Sequence, residues 1–222
     1  MSTKWTEPVT CAKCGRANQI LVFESLSVDR LPECRAQTLD RSLMTTTCEC
    51  GQRTAIVKPI LYADMTRGWW IHVELGGSLA DAERIAEDEF ATAFDAKKFP
   101  PAVAALRDTL RMRLVFGYEE LREKVVCGDH DLDDRLVEIL KLDLLATSDL
   151  LARGGETLVL EGADAELLHF VAIARDGGRV AKLAVRRAAY DGLLAQRDVL
   201  ATKYPELYAN CYVNALRYAT SA

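Results

Sequence analysis

Long apolar runs are missing from this chain. No window approaches the roughly 18 uninterrupted apolar residues that a membrane helix needs, and Met1 to Thr10 (MSTKWTEPVT) holds no apolar core of signal-peptide length. Internal repeats and low-complexity segments are also absent, which argues against solenoids and disordered tails. Positive charge is not in excess: 28 basic residues stand against 33 acidic ones, for a net charge of −5 and a pI near 5.4. That balance disfavours a protein whose task is gripping polyanionic nucleic acid. Walker, dinucleotide and G-x-S-x-G fingerprints do not occur, and there are only three histidines, His72, His130 and His169. What remains is an ordinary globular composition, 50% hydrophobic and 27% charged over 222 residues, sized for one large domain or two small ones.

Cysteine is the surplus, with seven residues. A chain without a leader or membrane segment is expected in the cytoplasm, where thiols stay reduced and closely spaced cysteines hold metal more often than disulfides. Four of the seven form two tight pairs, Cys11-Ala12-Lys13-Cys14-Gly15 and Cys48-Glu49-Cys50-Gly51. Two thiolates close in sequence reach one ion at little cost in chain entropy. The glycine after each pair lets the backbone turn so that amide N–H groups face the sulfurs. Two such knuckles supply four thiolates in a tetrahedron at roughly 2.3 Å from zinc, so Cys11, Cys14, Cys48 and Cys50 are the expected ligands of a structural Zn2+. Free thiols in a reduced core are the bland alternative, and an iron–sulfur or rubredoxin-like iron centre would use the same donors. A redox dithiol is disfavoured, because Cys11-x-x-Cys14 does not open a helix after a strand. Cys34, Cys127 and Cys211 read as small buried hydrophobes, with Cys34 a reserve ligand because it lies between the knuckles.

Along the chain, Gln19 to Val28, Leu43 to Thr47, Thr54 to Leu61 and Gly68 to Leu75 read as strands, with a short helix over Leu31 to Asp40 opened by Pro32. Alternation puts Trp69, Ile71 and Val73 on one face and Trp70, His72 and Glu74 on the other. Trp70 reads as a core-rim residue, with a contact surface as the alternative. Gly76-Gly77-Ser78 marks a boundary. Residues 1–78 carry +1 and residues 79–222 carry −6. Ser78-x-x-Asp81 resembles a capping box before an amphipathic helix with Ile85, Phe90 and Phe94. Pro100-Pro101 stops that helix and opens another. Arg113 to Phe116 suggests a strand, Gly117 to Val126 a helix, and Asp131 to Ala152 a long helix striped by Leu132, Leu136, Ile139, Leu140 and Leu144 and ended by Gly154-Gly155. Glu156 to Glu161, Glu166 to Ala174 and Arg179 to Val185 alternate like strands, the last two joined by a turn at Asp176-Gly177-Gly178. Two helical stretches follow, broken at Pro205, the last ambiguous between helix and strand. The fold class expected is α+β: a zinc-ribbon-like β unit over 1–78, then an acidic helical region with a small antiparallel sheet over 79–222, packed against it.

Several of these segments together resemble the CpXC family of bacterial cysteine-motif proteins. The resemblance rests on Cys11-Ala12-Lys13-Cys14-Gly15, QILVFESLSV, LMTTTCECG and KPILYADMTRGWWIHV, then RLVFGYEELREKVV, LDDRLVEILK and LHFVAIARDGGRVAKLAV. It runs from about Cys11 to the C-terminus, weakest over 77–105. It implies a metal-binding cysteine cluster and transfers no biochemical activity. Ala12 stands where the family usually has proline, which costs little because proline there only stiffens the turn. The second pair is one residue shorter than the pattern, which strains simultaneous ligation.

Two other features bear on function. Gly128-Asp129-His130-Asp131 with Asp133-Asp134 brings carboxylates and an imidazole close, but acids at a helix N-terminus suit the macrodipole without any ligand. Asp133 and Asp134 point about 100° apart on a helix. Arg186-Arg187 and Arg111/Arg113 are small basic groups of the kind found on solvated faces. The expected function is therefore a non-catalytic zinc-binding module that contacts another protein, of unknown identity. The alternatives are an enzyme with Asp64, His72, Asp129 and His130 in a cleft between the two parts, and weak nucleic-acid binding through the ribbon.

Overall fold

The computed structural model describes residues 2–76, 78–95, 97–148, 157–174 and 178–215. Strands β1 (Thr3–Thr10) and β2 (Ala17–Ser27) form an antiparallel hairpin whose connection is the first cysteine knuckle. After helix α1 (Pro32–Leu39), the short strands β3 (Thr45–Thr47) and β4 (Arg53–Ala55) form a second hairpin around the second knuckle. Strands β5 (Ile60–Asp64) and β6 (Trp69–Glu74) pair next, also antiparallel. Helices α2 (Leu79–Ala93) and α3 (Pro101–Ala104), with a 3-10 turn over Ala105–Asp108, lead to β7 (Arg111–Phe116). Helices α4 (Gly117–Asp129) and α5 (Asp134–Thr147), strands β8 (Thr157–Ala163), β9 (Leu167–Ile173) and β10 (Arg179–Arg186), and helices α6 (Arg187–Leu194), α7 (Arg197–Lys203) and α8 (Pro205–Ala209) complete the order. The class is α+β, as expected.

The chain divides into two compact units, Met1–Leu121 and Arg122–Ala222. In the first, the sheet order is β1-β2-β5-β6-β7. The pairs β2/β5 and β6/β7 are parallel. Parallel neighbours need a crossover connection, and α2 with α3 supplies it between β6 and β7. The first unit therefore continues past the Gly76–Ser78 break: β7 lies in register with β6 from Trp69↔Arg111 to Glu74↔Phe116. Trp69, Ile71 and Val73 are fully buried, and the alternate residues of β6 are half-buried, so the expected alternation holds.

Four local expectations need correction. The strand expected over Thr54 to Leu61 is two strands in two sheets, β4 with β3 and β5 with β2 and β6. Pro59 lies between them, and a residue without an N–H cannot continue an interior ladder. Strand β1 was not foreseen: as the sheet's edge it is mostly exposed, so it lacks the apolar alternation that betrays a half-buried strand. On α2 the buried stripe is Ala82, Ala86 and Phe90, whereas Ile85 is 45% exposed. The cap is as expected, since Ser78 Oγ accepts from the Asp81 amide at 3.1 Å and donates to Asp81 Oδ2. Finally, α5 begins at Asp134 rather than Asp131, because Asp131 sits at φ +52° and Asp133 caps by accepting from the Arg135 amide.

The second unit carries the expected antiparallel sheet, in the order β10-β9-β8. Its core includes Leu136, Val137 and Ile139 of α5 with Leu158, Leu160, Phe170 and Ala172 of the sheet. Leu144, expected on the stripe, is half-buried. The expected helix end at Gly154-Gly155 and the first two residues of the 176–178 turn lie outside the described residues. The ambiguous stretch after Pro205 opens as the helix α8.

Candidate metal centre

Each knuckle is a hairpin tip closed by its own backbone. The Cys11 amide donates to Arg16 O and the Gly15 amide to Cys11 O, each at 2.9 Å. In the second, the Cys48 amide donates to Gln52 O at 2.9 Å and the Gly51 amide to Cys48 O at 2.8 Å. Both closures use the left-handed region, at φ +72° for Gly15 and +83° for Gly51, where any Cβ is disfavoured. The shortened Cys48-Glu49-Cys50 loop thus turns as tightly as the longer one.

The four sulfurs of Cys11, Cys14, Cys48 and Cys50 all lie within 4.8 Å of one another. Across the knuckles, Cys11 Sγ is 3.6 Å from Cys50 Sγ and Cys14 Sγ is 3.5 Å from Cys48 Sγ. A tetrahedron with metal–sulfur bonds of ~2.3 Å places its sulfurs about 3.8 Å apart, whereas a disulfide needs about 2.05 Å. The spacing therefore fits four ligands around one ion and does not fit disulfides. All seven cysteines are free thiols.

Local dipoles act unevenly on the set. The Cys14 amide, with that of Lys13, holds the Cys11 thiol below its ordinary value. The Cys50 amide does the same for Cys48, helped by the Asn18 side chain, and brings it down to about 6. The Arg16 amide pulls Cys14 down, but its three sulfur neighbours outweigh that and push it up to about 12. N–H groups aimed at sulfur stabilise thiolate, the form that binds metal. Sequence reasoning missed three supporting residues. Asn18 faces Cys48, Lys13 Nζ donates to Cys50 O at 3.4 Å, and Arg16 pairs with Glu49 across the two knuckles. Only their closeness to the cysteines in sequence could have flagged them.

The other candidates fall elsewhere. Cys34 is buried on α1 outside the sulfur cluster, and burial pushes its thiol up to about 11, so it is not a reserve ligand. Cys127 is fully buried on α4, and Cys211 is half-buried. Asp64 is buried and accepts from the Arg67 amide and guanidinium. His72 pairs through Nδ1 with Glu89 of α2, and that hydrogen bond raises its pKa. Asp64 lies opposite Trp69 in the ladder and His72 opposite Leu61, so alternation places the two on opposite faces of the sheet. They do not converge. Asp129 ends α4, and His130 is held below its ordinary pKa by burial and by Arg187. Asp133 caps α5 while Asp134 is buried against Lys124, so the adjacent acids diverge. His169 is exposed and 3.1 Å from Asp164. Trp70 packs edge-on against Phe94 with ring centroids 4.9 Å apart, in keeping with a core-rim residue.

The second unit holds a charged cluster that the sequence did not reveal. Glu123, Lys124, Asp134, Glu138 and Lys141 are all at most 5% exposed. Lys141 Nζ is 2.8 Å from Glu138 Oε1 and also bonds Glu123. Lys124 Nζ is 3.0 Å from Asp134 Oδ2 and donates to Val213 O. The Leu160 and Ala215 amides donate to Glu123 Oε2 and Glu138 Oε2. Three carboxylates share two ammoniums, and the acids differ accordingly. Burial pushes Glu123 up to about 7. Burial also raises Glu138, but Lys141 and Lys124 outweigh it and hold that carboxyl below its ordinary value.

Fold and site together define an α+β protein with a four-cysteine cluster able to hold a metal ion, built on two hairpin tips. The family model of the CpXC protein matches residues 9–141, which contain all four cysteines. The chain belongs to the CpXC family. No curated protein and no solved structure matches it.

Proposed function

We propose that the four cysteines hold a structural Zn2+ and that the knuckle-bearing part of the first unit, residues 1–78, acts as a zinc-ribbon-like module. Through it, the protein contacts another protein in the cytoplasm without chemistry of its own. The observation that carries this reading is the meeting of four sulfurs from two separate hairpins within 4.8 Å of one another. Four thiolates complete a tetrahedral zinc and leave no position for water or substrate. The same ion ties β1–β2 to β3–β4, two hairpins that share no ladder. A contact role is supported by an exposed patch on the edge strand β1 and the segment that leads into β5. Trp5 is 39% exposed and Val57 60%, and Lys58 Nζ stands 4.1 Å above the Trp5 ring. An exposed aromatic rimmed by a cation is the side-chain type that anchors interfaces.

Metal content tests the first half. Chain purified without added zinc is expected to carry about one colourless zinc per molecule. A coloured iron-loaded chain replaces zinc by iron, and a mostly metal-free chain with an intact fold overturns the structural reading. For the second half, a protein recovered with the wild-type chain from its native host should be lost with Trp5→Ala. Recovery of no partner, or of one indifferent to that change, overturns the contact role.

A further inference from the structure

The first unit contains a cavity of about 460 Å³ that the metal centre does not use. Its floor is the sheet face opposite the Trp69 side: strand register places Leu61, Ala63 and Trp70 there, with Ser25 and Ser27 of β2. Its roof is the end of α2 and the segment returning to β7, chiefly Phe94, Phe99 and Val103. The void has a local cause. His72–Glu89 and Trp70–Phe94 hold α2 over β6, whereas the floor toward β2 is made of serine and alanine, too small to fill the space beneath the roof. The cavity is partly open to solvent, and its volume falls within the ~300–1,000 Å³ of small-molecule pockets.

Its chemistry is one-sided. Most of the lining is apolar, and among the described residues Arg30 is the only charged side chain in it. Arg30 is exposed, and its guanidinium has no ion pair or side-chain hydrogen bond among the described residues. The adjacent carboxylate does not neutralise it, because Asp29 is taken up by the Met65 amide and by the Thr66 amide and hydroxyl. Those three bonds also fix the rim, since Met65 itself lines the cavity. The Arg30 amide bonds Ser27 O at 3.2 Å, which ties the cation to the serine end of the floor.

We propose that this cavity binds a small amphipathic carboxylate, with its aliphatic body against Trp70 and Phe94 and its carboxylate on the Arg30 guanidinium. A single planar guanidinium matches a carboxylate bidentately, whereas a phosphate dianion calls for more donors than one cation supplies.

The probe is decanoate, titrated calorimetrically into the purified full-length chain, with decan-1-ol as the uncharged comparison. Decanoate is expected to bind saturably at about one per chain, and Arg30→Gln to weaken it about tenfold while leaving decan-1-ol unchanged. Val103→Trp, which fills the roof from a half-exposed position, is expected to abolish both. Methyl NMR of the unmutated chain gives a readout independent of any variant's folding: decanoate should shift Leu61, Ala63, Ala93 and Val103. No saturable binding, equal binding by Arg30→Gln, or shifts confined to methyls away from the cavity would each overturn the proposal.

Discussion

At the residue scale, the metal centre depends on two kinds of position, sulfur donors and the glycines that let the loops close. Cys48→Ser removes a thiolate whose charge the Cys50 amide and Asn18 favour. Since losing even an outer-shell partner typically costs metal sites ten- to a hundredfold in affinity, losing a ligand should weaken binding by roughly a hundredfold or more. A competition titration against a colorimetric chelator measures it, and near-wild-type affinity would remove Cys48 from the site. Gly51 matters for a different reason. At φ +83° a side chain costs roughly 1–2 kcal/mol, and nothing lies within 4 Å of where a Cβ would sit. Gly51→Val is therefore expected to act through backbone strain alone, with a smaller loss of metal affinity in the same titration than Cys48→Ser. The cysteines and glycines were legible in the sequence because both work through short-range spacing. Asn18 was not, because its part depends on where the second hairpin lies.

At the element scale, α5 makes the sharpest contrast. Its leucine stripe was readable from helical spacing, as was its acidic N-terminus. That the face carrying Asp134, Glu138 and Lys141 is also buried was not, because spaced charges on a helix ordinarily mark solvent. Only the partners Glu123 and Lys124 on α4, and the amides of Leu160 and Ala215, make that burial tolerable. Breaking the set should cost far more than a surface pair. Glu138→Leu leaves two buried lysines with one carboxylate each and orphans the Ala215 amide, and chemical denaturation should show a loss of about 3–5 kcal/mol. The cluster also makes stability depend on pH. Glu123 holds its proton to about 7 in the folded chain, against an ordinary 4.5. Its contribution is complete below 4.5 and is lost as pH rises through 7. Glu138, shifted the other way, contributes above its ordinary range and loses that contribution in acid. The fall in stability from pH 6 to pH 8 should accordingly be smaller in Glu123→Gln than in wild type. Parallel slopes in the two proteins would rule out Glu123 as the group responsible.

At the scale of the whole molecule, the acidity expected to belong to the part after residue 78 is shared between the compact units. Residues 1–121 carry −2 and residues 122–222 carry −3, because α2 and the segments beside it place their acids in the first unit. The metal centre, by contrast, lies wholly in the first unit, while the second has its own apolar core and its own charged cluster. Removing the ion should therefore loosen one unit and spare the other. After treatment of the full chain with a strong chelator, hydrogen exchange is expected to quicken in β1 through β4 and stay unchanged in β8 through β10. Uniform loss of protection would mean that the ion supports the whole chain, and no change would mean that it supports neither hairpin.

The sequence by itself determined the α+β class, the two cysteine knuckles, the alternation of β6, the cap of α2 and the sheet of β8 to β10. Each of these follows from residues a few positions apart, through backbone geometry and period. Tertiary structure decided the edge strand β1, the division of β4 from β5, the burial of five charges and the cavity beside Arg30. Those depend on what a segment packs against. The same lysine is a solvated surface charge or a buried ion-pair partner according to which carboxylates and backbone amides the fold brings within 3 Å.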